Sequence, residues 1–237
     1  SKLEHETLNG LPSIPHEDAP PDGALGFRIQ KYGIRRWRDL YTQRQLVALT
    51  TLARLITSQA LRKAIAASGA PEQEQNAILT CLALAVGRVN DLCSTLCRWL
   101  PSLEAVAASN GSQNKMPMIL DFVEVNPTGG AGGDWSGQID WIVRVIRNLA
   151  DSALQPGNVA RSPAQEACLP DDIAAAMVTD PPYYSAFGYS DLSEFFFPWL
   201  RRSAPPSVLN YNEDHVPKAQ EAISIGKTLS DGRGEKH

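Results

Sequence analysis

The sequence is poor in the residues that mark several large classes of protein. Its four cysteines, Cys81, Cys93, Cys97 and Cys168, are too few and too irregularly spaced for a disulfide scaffold in a chain of 237 residues. Cys93 and Cys97 lie four apart in a helical pattern, but no Cys-x-x-Cys pair or neighbouring histidine completes a tetrahedral zinc site, so no metal is expected and the thiols read as reduced core residues. No stretch approaches the length of a membrane span. The N-terminus lacks the basic region and following apolar run of a secretory signal, so a cytoplasmic location is the default and no membrane partner is expected. An excess of positive charge is also missing: 22 Lys and Arg stand against 26 Asp and Glu, a net charge of −4. That balance argues against tight, sequence-independent nucleic-acid binding by the chain as a whole, although a local basic face remains open.

What is present is a globular composition, 43% hydrophobic and 20% charged, enough for one large or two small domains with a real core. Residues 1–40 read as an extended Pro/Gly-rich connector. It ends in a basic-aromatic segment where Arg28, Lys31, Arg35, Arg36 and Arg38 alternate with Phe27, Tyr32 and Trp37; cations there would meet phosphate and rings would stack bases, or the segment is a charged connector before a helix. Residues 41–115 read as a helical subdomain. Thr42 is the expected N-cap of a helix carrying Leu46, Leu49, Leu52, Ala53 and Ile56 at helical spacing, and a second helix is expected from Pro71 to Leu100, ended by Pro101 and paired with the first.

Residues 116–222 form a third region. The run Met118 to Val125 reads as extended, and Gly129 to Gly133 then resembles a nucleotide-binding loop in composition, ahead of a helix over residues 138–150. The order of its glycines is wrong, and Asn126-Pro127 interrupts the strand-to-helix turn, which favours an ordinary loop near the active site. A short apolar run, Ile173 to Thr179, is expected to be a strand ending at Asp180. Phe195, Phe196, Phe197 and Trp199 then crowd an expected helix over residues 192–202, capped by Ser190 or Asp191 and kinked at Pro198. Those rings either pack on a sheet or line a pocket, with Tyr189 the best pocket candidate. Arg201-Arg202 is either a second phosphate contact or a solvated helix end. Residues 223–237 read as a polar, disordered tail without apolar period.

The motif that carries chemistry is Asp180-Pro181-Pro182-Tyr183. An exocyclic amine on a nucleobase has its lone pair delocalised into the ring and must be made nucleophilic before it attacks a methyl donor. A carboxylate at Asp180 can accept one amine hydrogen and the Pro181 carbonyl the other, which draws the nitrogen toward tetrahedral geometry. Pro181 and Pro182 lock φ and hold that carbonyl in place beforehand. Tyr183 offers an aromatic face for a base flipped out of its stack, with Tyr184 beside it. The same composition also suits a plain turn.

From Gly26-Phe27-Arg28 and Asp39-Leu40-Tyr41-Thr42-Gln43-Arg44-Gln45-Leu46, through Asp121-Phe122-Val123-Glu124-Val125-Asn126-Pro127, to Asp180-Pro181-Pro182-Tyr183-Tyr184 and Asp191-Leu192-Ser193-Glu194-Phe195-Phe196, the chain resembles the zinc-ribbon-containing bacterial adenine-specific DNA methylases with a conserved domain of unknown function. The resemblance implies an α/β fold, a partial Rossmann-like methyltransferase preceded by the helical subdomain. It also implies methyl transfer from S-adenosylmethionine to the exocyclic amine of adenine in DNA. Asp180, Pro181, Pro182 and Tyr183 would be catalytic, Tyr184 and Tyr189 would bind substrate, and Ser162 and Gln165 would stand where the family contacts the cofactor's adenine. The family's Phe-x-Gly-x-Gly-like cofactor loop and zinc ribbon are not found in the sequence, which lacks an initiator Met, so the chain reads as a piece whose partners are DNA and the remainder of a methylase, inactive by itself. Cytosine, RNA or a glutamine amide remain open as acceptors, as do restriction, phage defence or regulation as roles. An inactive DNA-binding or interaction fragment is the non-enzyme alternative.

Overall fold

Thr42 stands where extended chain turns into helix, and its hydroxyl accepts the Gln45 N–H at 3.3 Å while the Gln45 side chain accepts the Thr42 N–H at 2.8 Å. This reciprocal capping box satisfies two amides that would otherwise lack partners. It opens α1, Gln43–Thr57, whose buried face carries Leu46, Leu49, Ala53 and Ile56, as the apolar spacing predicts. The computed structural model describes residues 2–24, 26–110, 115–152, 155, 157–159, 162–163, 165–166, 169–170, 172–181, 188–209 and 214–221. Within them it is a mixture of helices and small antiparallel sheets.

A short helix that the sequence reading missed, α2 (Gln59–Ala67), begins at once with Ser58 as its cap. The long α3 runs Glu72–Leu92 behind Pro71, with Glu72 and Glu74 in the first turn, where carboxylates complement the helix dipole. It ends well short of Pro101. Beyond Asn90 the chain turns because serines offer the backbone other partners: Ser94 Oγ meets Ser109 Oγ at 2.5 Å and accepts the Leu96 N–H at 3.0 Å, and the Thr95 N–H reaches Leu40 O at 2.8 Å. The segment expected to finish the helix instead supplies β3 (Arg98–Leu100), paired antiparallel with β4 (Ala105–Ala107).

Further along, α4 (Trp135–Ala150) starts three residues before its expected position because the Asp134 carboxylate accepts the Gly137 N–H at 2.8 Å. The aromatic segment divides into α5 (Tyr189–Ser193) and α6 (Phe197–Ser203), with Pro198 in the first turn of α6 where a missing N–H costs nothing. Neither Ser190 nor Asp191 caps α5: its N-cap is Gly188, with no side-chain cap bond.

One core joins these elements, drawing on residues from Ile14 to Trp199. α1, α3 and α6 pack on one another and α4 packs on α3. Trp37 meets Phe195 edge-on at 5.9 Å, and Tyr41 meets Trp199 at 5.8 Å and 88°; such pairs contribute about 0.5–1.5 kcal/mol each beyond burial. The Pro/Gly-rich N-terminal stretch is docked on this core. Its hairpin, β1 (Thr7–Leu8) with β2 (Leu11–Pro12), turns at Asn9 and Gly10, both at positive φ. The Asn9 amide then donates to the carbonyls of Arg201 and Ala204 at the C-terminal end of α6, both at 3.0 Å.

Two expected strands are not seen. Residues 118–125 form no ladder, their order coming from single contacts such as Val123 N–H to Cys97 O at 3.1 Å. Residues 173–179 are exposed and outside any sheet, with Met177 85% and Val178 96% exposed. A strand needs a neighbour for its N–H and C=O groups, and both sheets among the described residues are two-stranded hairpins elsewhere in the chain. No helix among those residues is long and apolar enough to cross a membrane.

Candidate functional site

Asp180 and Pro181 lie on the exposed tract just described, and Asp180 has no hydrogen-bond or ion-pair partner among the described residues. Its carboxylate is therefore open to accept from an incoming donor. Pro182, Tyr183 and Tyr184 lie outside the described residues. Ser162 and Gln165 are exposed surface residues. Tyr189, at the start of α5, is 45% exposed.

The chain from Ser190 to Glu194 is held by buried charge. Asp191 and Glu194 on and after α5 are both buried, and Lys218 Nζ sits 2.8 Å from Asp191 Oδ1 and 2.7 Å from Glu194 Oε2. His215 Nδ1 approaches Glu194 Oε1 at 3.0 Å. Ser190 donates through both its N–H and its hydroxyl to Glu221. Segment 214–221 is thus a charged clasp across α5. Burial pulls the Lys218 ammonium down, but its hydrogen bonds to Asp191 and Glu194 outweigh this and hold its pKa above the ordinary lysine value. Burial pushes Glu194 up, with Lys218 and His215 only partly opposing it.

Beneath the clasp, the aromatic residues are core. Phe195 and Trp199 are fully buried. The Trp199 indole donates to Tyr41 Oη at 3.1 Å, Tyr41 donates to Asn90 Oδ1 at 2.6 Å, and the Asn90 amide donates to Phe195 O at 3.2 Å. Burial raises the Tyr41 phenol far above its ordinary value, so it acts as a fixed hydrogen-bonding post. The same enclosure corrects the reading of Arg201-Arg202. Both are about 1% exposed and pair with buried Glu17 at 3.1 and 2.8 Å, so neither is a phosphate contact or a solvated helix end.

The basic-aromatic segment divides in a similar way. Phe27 and Trp37 are buried, while Tyr32 is 57% exposed. Arg28, Lys31 and Arg35 are exposed and form no ion pair among the described residues; Arg36 and Arg38 approach Asp18 and Glu4, each at 3.9 Å. A small cationic face around one exposed ring remains.

Two of the cysteines behave as expected of core thiols, while Cys81 is only partly buried. Cys93 and Cys97 are buried, and burial pushes the Cys93 thiol up to about 12; Cys168 lies outside the described residues. Among the described residues no three His, Cys, Asp or Glu side chains gather as metal ligands.

The glycine-rich loop does not fit S-adenosylmethionine. The Asp134 carboxylate accepts the Gly130 N–H at 3.2 Å and the Gly137 N–H at 2.8 Å, so backbone donors that would face a ligand are turned onto a side chain of the same chain. Gly133, at φ 94°, is pressed against Leu92 and Val125, and a Cβ there would lie 3.3 Å from each. Ser162 and Gln165 lie on the open surface, apart from that loop.

Sequence reasoning missed Glu17, Lys218 and Glu221, each of which completes a charged contact with a partner distant in the chain, more than 180 residues away for Glu17. A lone charge on a polar stretch gives no sign of such a partner. The nearest signal was the pair of acids Asp191 and Glu194 inside an aromatic segment, where burial would demand a cation. No family model, no curated protein and no solved structure matches the chain.

Proposed function

We propose that this chain carries the amine-gripping part of an adenine-specific DNA methyltransferase of partial Rossmann-like α/β fold, working in the cytoplasm on DNA. The observation that carries the reading is Asp180-Pro181-Pro182-Tyr183, with Asp180 exposed and without a partner among the described residues. Asp180 accepts one hydrogen of the adenine amine and the Pro181 carbonyl accepts the other, which frees the nitrogen lone pair for attack. Tyr183 stacks the flipped base, with Tyr184 and Tyr189 beside it. The clasp over α5 supports this reading, because it fixes the chain a few residues beyond the motif and limits the reorganisation left to the loop. The exposed apolar run ending at Val178 is consistent with a strand whose sheet is completed by other polypeptide. Arg28, Lys31, Arg35 and Tyr32 supply a modest face for the phosphate backbone. The methyl donor would be S-adenosylmethionine, and its site would lie outside the described residues.

The test is transfer of labelled methyl to DNA by the full-length protein. Asp180→Ala should lower the rate about 100-fold or more, the usual cost of removing one preorganised hydrogen-bonding partner. Tyr183→Phe should be mild and Tyr183→Ala severe, because a base stack is worth about 1–3 kcal/mol and needs the ring alone. Transfer that survives Asp180→Ala would remove the proposal.

A further inference from the structure

A cavity of about 530 Å³ opens where α3, β4, α4 and α6 meet, within the roughly 300–1,000 Å³ of small-molecule sites. Ala83, Leu84, Val106, Phe196 and Leu200 give it apolar walls. Gly87 keeps the α3 wall open, since the one neighbour within reach of a Cβ placed there is Phe196 Cδ1 at 3.8 Å. Arg88, Asp91 and Gln138 line the same space. Arg88 and Asp91 lie three apart on α3 and so share one face of the helix, and the Arg88 charge is felt at Asp91, yet neither forms an ion pair among the described residues. Gln138, 4% exposed, accepts from Arg88 Nε at 2.8 Å. This anchors the guanidinium and leaves Nη1 and Nη2 without a hydrogen-bond partner among the described residues. Asp91 Oδ1 accepts the Asn110 N–H at 2.9 Å, and Oδ2 has no partner among those residues. Burial raises the Asp91 carboxyl, with the Asn110 amide and Arg88 only partly opposing it, so a further cation beside it would relieve a standing penalty.

We propose that this cavity binds a free α-amino acid with a large apolar side chain. The ligand carboxylate takes the two open ends of the Arg88 fork, the ammonium meets Asp91, and the side chain fills the apolar space against Phe196 and Leu200. The charges decide the class. An uncharged ligand would leave both groups as they are, a plain carboxylate would be brought up against Asp91, and a plain amine would be brought up against Arg88. A zwitterion meets both. The two charges of an α-amino acid sit on one carbon, as partners sharing one helix face require.

The probe is L-phenylalanine, added to the intact chain and followed by the backbone amide signals of Gly87 and Asp91 in nuclear magnetic resonance. Both should shift, with a dissociation constant of about 1 mM or tighter. Phenylethylamine, which lacks the carboxylate, and 3-phenylpropionate, which lacks the ammonium, should each bind about ten-fold more weakly or worse, and so should L-serine, which lacks the apolar body. Arg88→Met should erase the preference for L-phenylalanine over phenylethylamine, and Asp91→Asn the preference over 3-phenylpropionate. Gly87→Leu, which fills the cavity without touching either charge, should weaken L-phenylalanine about ten-fold or more. Melting temperatures confirm that each variant is folded. Absence of shifts at Gly87 and Asp91, binding of phenylethylamine or 3-phenylpropionate as tight as that of L-phenylalanine, or unchanged affinity in folded Gly87→Leu would overturn the proposal. Neither DNA nor a methyl donor enters the experiment, so its result stands or falls separately from the role of Asp180.

Discussion

A guanidinium that is almost wholly buried has to place its donors on protein atoms, and Arg202 does so with unusual completeness. It donates to Pro12 O at 2.7 Å, to Pro198 O at 2.7 Å, to Ile14 O at 3.3 Å and to both oxygens of Glu17 at 2.8 and 3.2 Å. Burial lowers its pKa and Glu17 opposes this only in part, and a guanidinium stays charged either way. The result is a tie between the N-terminal hairpin and α6. Glu17 serves both Arg201 and Arg202, so Glu17→Ala would leave two buried cations short of their shared counter-ion. We expect that substitution to lower stability by about 3–5 kcal/mol, read as a fall in the urea midpoint. Glu17→Gln keeps two acceptor lone pairs and the packing, and should lose less. Equal unfolding midpoints for Glu17→Ala and the parent would show that the hairpin is not held by this ion pair.

Among the elements, those whose start depends on neighbours in sequence were legible and those whose end depends on distant partners were not. Thr42 and Gln45 lie three apart and announce α1 by themselves. Pro71 announces α3 in the same way, but beyond its end the chain is fixed by Thr95 meeting Leu40, 55 residues away. Residues 173–179 have the apolar content of a strand, yet a strand exists only where a neighbouring strand accepts its hydrogen bonds. The clasp of segment 214–221 belongs to this second kind, and its chemistry makes a pH-dependent prediction. The groups facing one another are Asp191, Glu194, His215, Lys218 and Glu221. The folded pKa of Glu194 lies above its ordinary 4.5, so its contribution is full below that value and is lost as pH rises through the raised one. That of Lys218 lies above its ordinary 10.5, so its contribution persists through neutrality and is lost only as pH rises through its own raised value. Lys218→Met removes the cation and leaves two buried acids opposed to each other. It should cost about 3 kcal/mol or more near neutral pH. The loss should shrink on acidification, when the acids can take up protons, and thermal melts of parent and variant near pH 7 and near pH 5 give the comparison. A constant difference across that window would mean that Lys218 acts by packing alone.

For the whole molecule, the question is how much of a methyl-transfer centre one chain can assemble. Methyl transfer requires the donor carbon about 3 Å from the acceptor nitrogen, and a misplacement of 1 Å costs on the order of 100-fold. Described residues that would grip the amine, Asp180 and Pro181, are on an exposed tract, while in the tract with cofactor-like composition, residues 129–133, the Gly130 amide is turned onto Asp134 and Gly133 is packed on Leu92 and Val125. A ligand carboxylate approaching that loop would meet the buried Asp134 charge in place of free N–H donors. S-adenosylmethionine should therefore bind this chain no more tightly than about 1 mM, and the chain alone should transfer no methyl group to DNA despite its intact Asp180-Pro181-Pro182-Tyr183. Isothermal titration calorimetry on the isolated chain measures the first expectation and label incorporation the second. Micromolar binding that disappears when residues 129–133 are replaced by a serine-rich loop would show that Asp134 gives way to the ligand, and would make the glycine loop the cofactor site after all.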